Sequence, residues 1–298
     1  MQALRKWWQS LGAGTPDVAP VPVQQVPALD LVDPRDCGLV DAVMGGWFMN
    51  ATDELFRGFH IAPDDVVLDL GCGHGGSTLF CARRGAHVIF TDSDAGKVDA
   101  LRDKVRETSA RQADGIVSNS LPLPLADNLA SKVIALEVLE HVEQPLAILK
   151  ELVRVGRPGA QYFISVPDQR SEDLQRAVAP ALHFEQPNHI NVFSREAFAE
   201  LVESAGLVIE TREYYGFYWT LWMMLFWGTK QAEGHVFSGA THDQLEGPFH
   251  PLLHSWATLW HSTISLPGGE KIRAALDQAL PKTQIILARK PAAGVEVV

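Results

Sequence analysis

The segment VVLDLGCGHGGST, residues 66–78, joins a short apolar run directly to a cluster of glycines. The apolar run is too short for a helical repeat and is typical of a buried parallel strand. Because glycine has no Cβ, a glycine-rich turn lets the backbone approach a ligand closely. The segment therefore predicts a nucleotide-binding turn at the end of a strand in an α/β sheet.

Two carboxylates bear on which nucleotide this turn binds. Asp69 lies two residues before the first glycine, where it would repel a pyrophosphate but not a ligand with an ammonium or sulfonium group. Asp92 ends the next apolar run, about 20 residues past the glycines, where α/β nucleotide-binding units place a carboxylate on ribose hydroxyls. Gly71, Gly73 and Gly76 formally match a dinucleotide-binding pattern, but the two acids favour a cationic adenosyl ligand.

Five motifs between residues 60 and 213 occur in an order that resembles the class I S-adenosylmethionine-dependent methyltransferases. They are VLDLGCGHG, VIFTDSD, LPLPLADN, ALEVLEHVEQP and VGRPGAQYFISVPD. The resemblance implies a Rossmann-like, doubly wound α/β fold. Its seven-stranded sheet is mostly parallel and its last strand is antiparallel.

The resemblance and the residue patterns divide the chain into five parts. Residues 36–60 have a helical pattern and are expected to form a helical lid, and 214–282 form an aromatic helical insertion between the last two strands. The parts are an N-terminal arm with a proline-rich linker (1–35), the lid (36–60), the cofactor-binding core (61–213 and 283–290), the insertion (214–282) and a tail (291–298).

The resemblance implies S-adenosylmethionine as the cofactor and S-adenosylhomocysteine as the product. Asn119 stands where family members commonly carry an acid that binds the adenine amino group, and its carbonyl oxygen can still accept that hydrogen bond. The residues expected to bind the cofactor are Asp69, Gly71, Cys72, Gly73, Gly75, Asp92, Ser93, Asn119, Ser120 and Glu137.

Candidate catalytic residues follow the fourth and fifth predicted strands, where open α/β sheets bind their ligands. His189 and His183 lie in the loop HFEQPNHINVF, and His189 is the first choice for a general base, because its usual pKa suits proton transfer from a hydroxyl. A histidine that only pins the loop is the alternative. Glu140 is a further candidate, or an acid placed favourably near a helix N-terminus, and His141 is interpreted as a structural histidine that bonds the backbone.

The predicted function is O-methylation of a hydroxyl on a sugar, a glycan or another small molecule by in-line methyl transfer. An N- or C-methyltransferase and a non-catalytic module that binds the cofactor or its product remain alternatives, with an NAD-dependent dehydrogenase third. No metal is expected, because His250 and His254 lack the further ligands of a zinc pattern.

Charge and composition bear on partners and location. A net charge of −11 argues against a nucleic-acid binder, which needs clustered lysine and arginine. The three cysteines have no metal-ligand spacing and are interpreted as reduced thiols, so a cytoplasmic location is expected. The aromatic stretch Phe217 to Trp227 is interpreted as a peripheral membrane contact, a homodimer contact, a substrate lid or a buried helix.

Overall fold

The computed structural model describes residues 33–292, except for the side chains of residues 242 and 243. The predicted N-terminal arm and most of the C-terminal tail lie outside the described residues. The strands are β1 (Trp47–Met49), β2 (Glu54–Phe56), β3 (Phe59–His60), β4 (Val66–Leu70), β5 (His87–Asp92), β6 (Gln112–Val117), β7 (Ala130–Leu136), β8 (Gly156–Pro167), β9 (Val208–Tyr215) and β10 (Thr283–Arg289).

Seven strands form one sheet in the order β6-β5-β4-β7-β8-β10-β9. Strands β4 to β8 pair in parallel, and β10 is antiparallel to both β8 and β9. The Rossmann-like fold and the antiparallel last strand are thus confirmed. Because β10 runs against its neighbours, it begins at the edge of the sheet where the parallel strands end.

Helices cover both faces of this sheet and fill the insertion. Apolar residues that recur at helical spacing, such as Val98, Leu101 and Val105, lie buried against the strands. The helices are α1 (Arg35–Met44), α2 (Gly76–Ala82), α3 (Ala95–Arg106), α4 (Pro145–Val155), α5 (Gln169–Gln175), α6 (Arg195–Ser204), α7 (Phe217–Ala232), α8 (Pro251–Ile264) and α9 (Gly269–Ala279).

The segment expected to be a helical lid is helical only in its first part. Helix α1 ends at Met44, and β1, β2 and β3 then form a small antiparallel sheet. The prediction of helical structure for residues 47–60 is wrong because Trp47 and Phe56 pair across two strands. Trp47 also packs on Phe163 of the large sheet, with ring centroids 5.1 Å apart, so this aromatic residue belongs to the core.

The aromatic stretch of the insertion is a buried helix. None of the residues from Phe217 to Trp227 is exposed. Trp222, Phe226 and Trp227 pack with residues of α8 in a hydrophobic core of their own. This packing supports the interpretation of Phe217 to Trp227 as a buried helix, and contact of this stretch with a membrane or a second copy remains a prediction. Among the described residues, no helix is both long and apolar enough to cross a bilayer.

A buried acid joins α1 to the insertion. Asp41 is fully buried, and one of its oxygens accepts a hydrogen bond from Trp260 Nε1 at 2.8 Å. The other oxygen has no hydrogen-bond partner among the described residues. Burial and the nearby Asp277 raise the pKa of Asp41 to about 7, although Arg273 opposes this shift.

The raised pKa predicts that stability falls as the pH rises. Since the pKa of Asp41 is about 7 in the folded chain against 3.8 for an unperturbed aspartic acid, folding favours the protonated acid. Its stabilising contribution is complete below pH 3.8 and is lost as the pH passes 7. We expect the free energy of unfolding to fall by roughly 2 to 3 kcal/mol more between pH 5 and 8 in the wild type than in Asp41→Asn.

Urea unfolding at the two pH values measures this difference. Asp99→Asn, which changes an exposed acid on α3, is the control and should keep the pH dependence of the wild type. An unchanged dependence in Asp41→Asn would show that Asp41 is not the group that titrates.

Candidate active site

The glycine turn after β4 adopts a backbone conformation that residues other than glycine rarely adopt. Gly71, Gly73 and Gly75 have φ angles of +70°, +50° and +88°, in the left-handed region that favours glycine. A Cβ on Gly71 would lie 2.6 Å from Val138, and one on Gly75 would lie 2.1 Å from Leu101. At Gly73 a Cβ would meet nothing within 4 Å, so the backbone here is open to a ligand.

Asp92, at the end of β5, is held against this turn. One carboxylate oxygen accepts a hydrogen bond from the Gly73 N–H at 3.0 Å, and the other accepts one from the Asp94 N–H at 3.0 Å. Each oxygen keeps a second lone pair. The structure therefore places the predicted ribose-binding acid beside the open glycine.

Asp69 and Cys72 are buried parts of the same turn. Asp69 Oδ2 accepts a hydrogen bond from Thr78 Oγ1 at 2.5 Å, and burial raises the pKa of Asp69 to about 7. A nearby cation would favour the ionised form of this acid. Burial raises the pKa of Cys72 to about 12, so this thiol is not a nucleophile at neutral pH.

The other predicted cofactor residues lie along the same edge of the sheet. Ser93 and Asn119 are exposed, while Ser120 and Glu137 are half-buried. Ser120 and Glu137 have φ angles of +72° and +54°, which are costly for residues other than glycine and are concentrated at functional sites. The cofactor-binding role of these residues remains a prediction.

Glu137 lies where β7 ends and connects the turn to a second polar region. Its carboxylate accepts a hydrogen bond from Ser165 Oγ at 3.0 Å and lies 3.5 Å from Lys282 Nζ. Burial lowers the pKa of Lys282, but the carboxylates of Glu137, Glu172 and Glu140 outweigh this effect and raise it. Lys282 is therefore a half-buried ammonium ion directly before β10.

His189 is paired with a carboxylate that the sequence analysis did not identify. His189 Nδ1 lies 2.9 Å from Glu172 Oε2, and Glu172 is buried on α5. Burial alone would raise the pKa of Glu172, but the hydrogen bond and charge of His189 lower it to about 2. An ionised carboxylate only accepts hydrogen bonds, so Nδ1 of His189 carries a proton, and Nε2 has a free lone pair when the ring is neutral.

His183 lies next to this pair but is less accessible. Its ring centroid is 4.4 Å from that of His189, and its Nε2 is 3.7 Å from Glu172 Oε2. The side chain is 3% exposed, and burial, together with the charge of His189, lowers its pKa to about 3. Nδ1 of His183 contacts Thr241 Oγ1 at 3.2 Å, so His183 also fixes the insertion to the loop.

Glu140 and His141 complete the cluster from the other side. The Glu140 side chain is fully buried, and burial and the charge of Glu137 raise its pKa well above its usual range. His141 Nδ1 lies 3.1 Å from the Pro187 carbonyl oxygen, in agreement with its interpretation as a histidine that bonds the backbone. The rings of His141 and His189 are 5.1 Å apart.

The structure thus brings together all three predicted catalytic residues, His189, His183 and Glu140. The sequence analysis missed Glu172 and Lys282. No helix was predicted directly after β8, but Asp168 accepts a hydrogen bond from the Arg170 N–H and caps α5. An acid directly before a polar helical turn is a capping signal, and it would have placed Glu172 on a helix.

A family model for the methyltransferase domain matches residues 50–212, more than half of the chain. The match spans the glycine turn, Asp92 and the whole polar cluster except Lys282. The chain belongs to the S-adenosylmethionine-dependent methyltransferase family. S-adenosylmethionine is the cofactor of this family.

Relatives of this methyltransferase include enzymes named for different reactions. The ubiquinone biosynthesis O-methyltransferase of Hahella chejuensis is 28% identical over 160 residues, which cover 49% of this chain and 67% of that one. The methyltransferase GfsG of Streptomyces halstedii is 28% identical over 116 residues, which cover 38% of this chain but only 42% of that one. The match to GfsG thus covers less than half of that relative's length.

Solved structures share the fold at low sequence identity. The cyclase SpnF is 18% identical with a TM-score of 0.53, and the match covers 85% of this chain and 82% of that chain. The geranyl diphosphate C-methyltransferase of Streptomyces coelicolor is 17% identical with a TM-score of 0.51, covering 85% and 77%. These two matches show the fold alone.

The open space at Gly73 gives a prediction for cofactor binding by the methyltransferase. Gly73→Ala should weaken S-adenosylmethionine binding by about tenfold or more, since the new methyl group would enter the space left for the ligand. The strained φ should also cost roughly 1 to 2 kcal/mol of stability. Gly206→Ala is the matched control, because Gly206 has a φ of +92° and nothing within 4 Å of its Cβ position.

Calorimetric titration and urea unfolding of both variants measure these effects. The two variants should lose similar stability, but only Gly73→Ala should lose affinity. Equal cofactor affinity in the two variants would contradict the placement of the ligand against Gly73.

Proposed function

We propose that this chain transfers the methyl group of S-adenosylmethionine to a hydroxyl oxygen of a small molecule, and that the acceptor oxygen is activated at His189. One observation carries the proposal. His189, with Nδ1 bound to the buried Glu172, lies beside Glu140 and His141, which follow the end of β7, the strand next to β4 and its glycine turn. Val138 brings the two regions together, since a Cβ on Gly71 would lie only 2.6 Å from its side chain.

The residues around the glycine turn have separate roles toward the cofactor in this proposal. Bound S-adenosylmethionine supplies a methyl group on a positively charged sulfur. Asp92 accepts hydrogen bonds from the ribose hydroxyls, and Asn119 accepts one from the adenine amino group through its carbonyl oxygen. Asp69 stabilises the positively charged methionine end of the cofactor, and the burial of Asp69 in the turn keeps water away from its carboxylate.

The polar cluster acts on the acceptor. Glu172 fixes the ring of His189 with its proton on Nδ1, so that Nε2 presents a lone pair to the acceptor hydroxyl. The hydroxyl would pass its proton to Nε2 as the oxygen attacks the methyl carbon, and the carbon–sulfur bond would break with its electrons left on sulfur. The half-buried ammonium of Lys282 would stabilise negative charge on the acceptor oxygen. Positioning of the two reactants supplies the rest of the rate enhancement.

The name of the Hahella relative, an O-methyltransferase of ubiquinone biosynthesis, supports oxygen as the methyl acceptor. A sugar or glycan hydroxyl remains within the proposal. Fold alone does not decide the reaction, since the similar structure SpnF is named as a cyclase.

Methyl transfer can be tested directly. The purified protein is incubated with S-adenosylmethionine and a panel of phenols, catechols, sugars and primary amines, and the formation of S-adenosylhomocysteine and methylated product is measured by mass spectrometry. We expect turnover with hydroxyl acceptors. Turnover with amines alone would replace oxygen with nitrogen as the acceptor, and cofactor binding without turnover on any acceptor would favour a non-catalytic binding module.

A further inference from the structure

Glu140 has a buried carboxylate that is not satisfied by the protein. Its side chain is 0% exposed, and neither oxygen has a hydrogen-bond partner among the described residues. Among the described residues, the ion-pair contact of this carboxylate is with Nε2 of His141, which lies 3.7 Å from Oε1 and is too far for a hydrogen bond. Buried carboxylates are normally paired with a cationic group or bound to a metal ion. The carboxylate of Glu140 therefore lacks the partner that its burial calls for.

Two imidazoles lie beside this carboxylate. One ligand atom from each of Glu140, His141 and His189 lies within 4.8 Å of the others. A single ion bound to three ligands at about 2.0 to 2.2 Å requires them to approach one another to within roughly 3 to 4 Å. Only a small adjustment of the side chains is therefore needed to place an ion between them.

The outer hydrogen bonds orient both rings for metal binding. The Pro187 carbonyl oxygen accepts from Nδ1 of His141 at 3.1 Å, and the Glu172 carboxylate accepts from Nδ1 of His189 at 2.9 Å. In each ring the proton is therefore on Nδ1, and Nε2 has the free lone pair. Metal-binding histidines almost always donate their second ring N–H to a carboxylate or a backbone carbonyl in this way.

The charge of the cluster also favours a divalent cation. Glu137, Glu140 and Glu172 provide three carboxylates, and Lys282, 3.5 Å from Glu137, provides one ammonium. When the histidines are neutral and a cation displaces the proton of Glu140, two negative charges remain uncompensated among these described groups. A divalent cation would balance them.

We propose that Glu140, His141 and His189 bind one divalent transition-metal cation, Zn²⁺ or Mn²⁺, which also coordinates the oxygen of the methyl acceptor. Two imidazoles and one carboxylate suit such an ion better than Mg²⁺, which prefers oxygen ligands. Three protein ligands leave coordination positions open for the acceptor. This inference rests on the proposed O-methylation and changes the role of His189 within it, because Nε2 would bind the cation and the cation would activate the acceptor oxygen.

The activation step then needs no further reactant. An acceptor hydroxyl bound to the cation is more acidic than a free hydroxyl, so its O–H bond breaks and the proton passes to solvent water. The oxygen keeps the electron pair of that bond and uses a pair to attack the methyl carbon, while the carbon–sulfur bond breaks and leaves its electrons on sulfur. His189 serves as a ligand to the ion rather than as the acceptor of the proton.

Cation binding can be measured without any acceptor. The full-length protein is stripped with dipicolinate and titrated with Zn²⁺ and Mn²⁺ by calorimetry, and the absorption of the Co²⁺-loaded protein reports the ligand geometry. We expect one ion per chain and weaker binding of Mg²⁺. Glu140→Gln should weaken Zn²⁺ binding about 100-fold or more, and Glu172→Gln, which changes only the outer hydrogen bond, about 10- to 100-fold.

His235→Ala, which removes an exposed histidine of the insertion, is the control and should bind the ion as the wild type does. Absence of stoichiometric binding, or equal affinity in Glu140→Gln and the wild type, would overturn the proposed site. Either outcome would mean that Glu140 is a buried, protonated acid that binds no ion.

Turnover of the stripped and reloaded protein separates this inference from the proposed function. Full turnover without the ion would overturn the metal site's role and leave O-methylation standing. Tight binding of the ion without methyl transfer to any acceptor would support the metal site and overturn the proposed function. Turnover that is lost on stripping and returns with Zn²⁺ or Mn²⁺ would support both.

Discussion

Replacement of His189 by alanine is expected to lower the turnover number by about 100- to 10,000-fold, the range typical for loss of a group that activates a nucleophile. Nε2 of His189 is the free ring nitrogen of a histidine fixed by the buried Glu172. The variant lacks the group that activates the acceptor oxygen, whereas the glycine turn and Asp92 are unchanged. Affinity for S-adenosylmethionine should therefore remain within a few fold of the wild type.

Steady-state kinetics with an acceptor found by the panel, together with calorimetric titration of the cofactor, measure the two quantities separately. His235→Ala is the matched control and should keep the turnover number of the wild type. If His189→Ala keeps full turnover, His189 only pins its loop, which is the alternative left open by the sequence. A fall in both turnover and cofactor affinity would point to a general loss of structure.

Replacement of Asp92 by alanine is expected to weaken S-adenosylmethionine binding by about 100-fold or more. A hydrogen bond to a charged group contributes about 1.5 to 3 kcal/mol, and the carboxylate is expected to accept two from the ribose. The Gly73 N–H also loses its acceptor at 3.0 Å, so the turn is less well fixed. S-adenosylhomocysteine should lose affinity to a similar degree, because it has the same ribose.

Calorimetric titration with S-adenosylmethionine, S-adenosylhomocysteine and NAD tests this prediction. Asp99→Ala is the matched control, since Asp99 is an exposed acid on α3 that pairs with Arg102. Unchanged affinity in Asp92→Ala would mean that the ribose is not bound at the end of β5. Binding of NAD in place of the adenosyl ligands would contradict the assignment of the cofactor.

Local sequence patterns were sufficient to predict most strands of the large sheet. Buried strands next to glycine turns, such as β4, have a short apolar run bounded by residues that stop the strand, and both signals act over a few residues. The antiparallel β10 was also found, although some 70 residues of insertion separate it from β9, because its apolar run is distinct. The segment 47–60 was assigned wrongly, since its three strands are too short to show an alternating pattern.

The insertion shows why burial is harder to predict than helix formation. Phe217 to Trp227 was correctly expected to be helical and strongly apolar, but an apolar helix can cover a core, a partner or a membrane. The elements packed against the helix decide which of these it covers. Trp222 and Phe226 stack within the core that also contains Leu253 and Trp260 of α8, and no sequence pattern indicates that α8 lies there.

The sequence by itself determined the fold class, the cofactor turn and the acids placed near it, because strand, turn and carboxylate are adjacent in the chain. Only the tertiary structure decided the composition of the polar cluster. Glu140, Glu172, His189 and Lys282 come from four separate segments, which meet because parallel strands end, and the antiparallel β10 begins, at one edge of the sheet. The pairing of His189 with Glu172 and the isolation of Glu140 depend on distances across these segments, and such distances are not written in the local sequence.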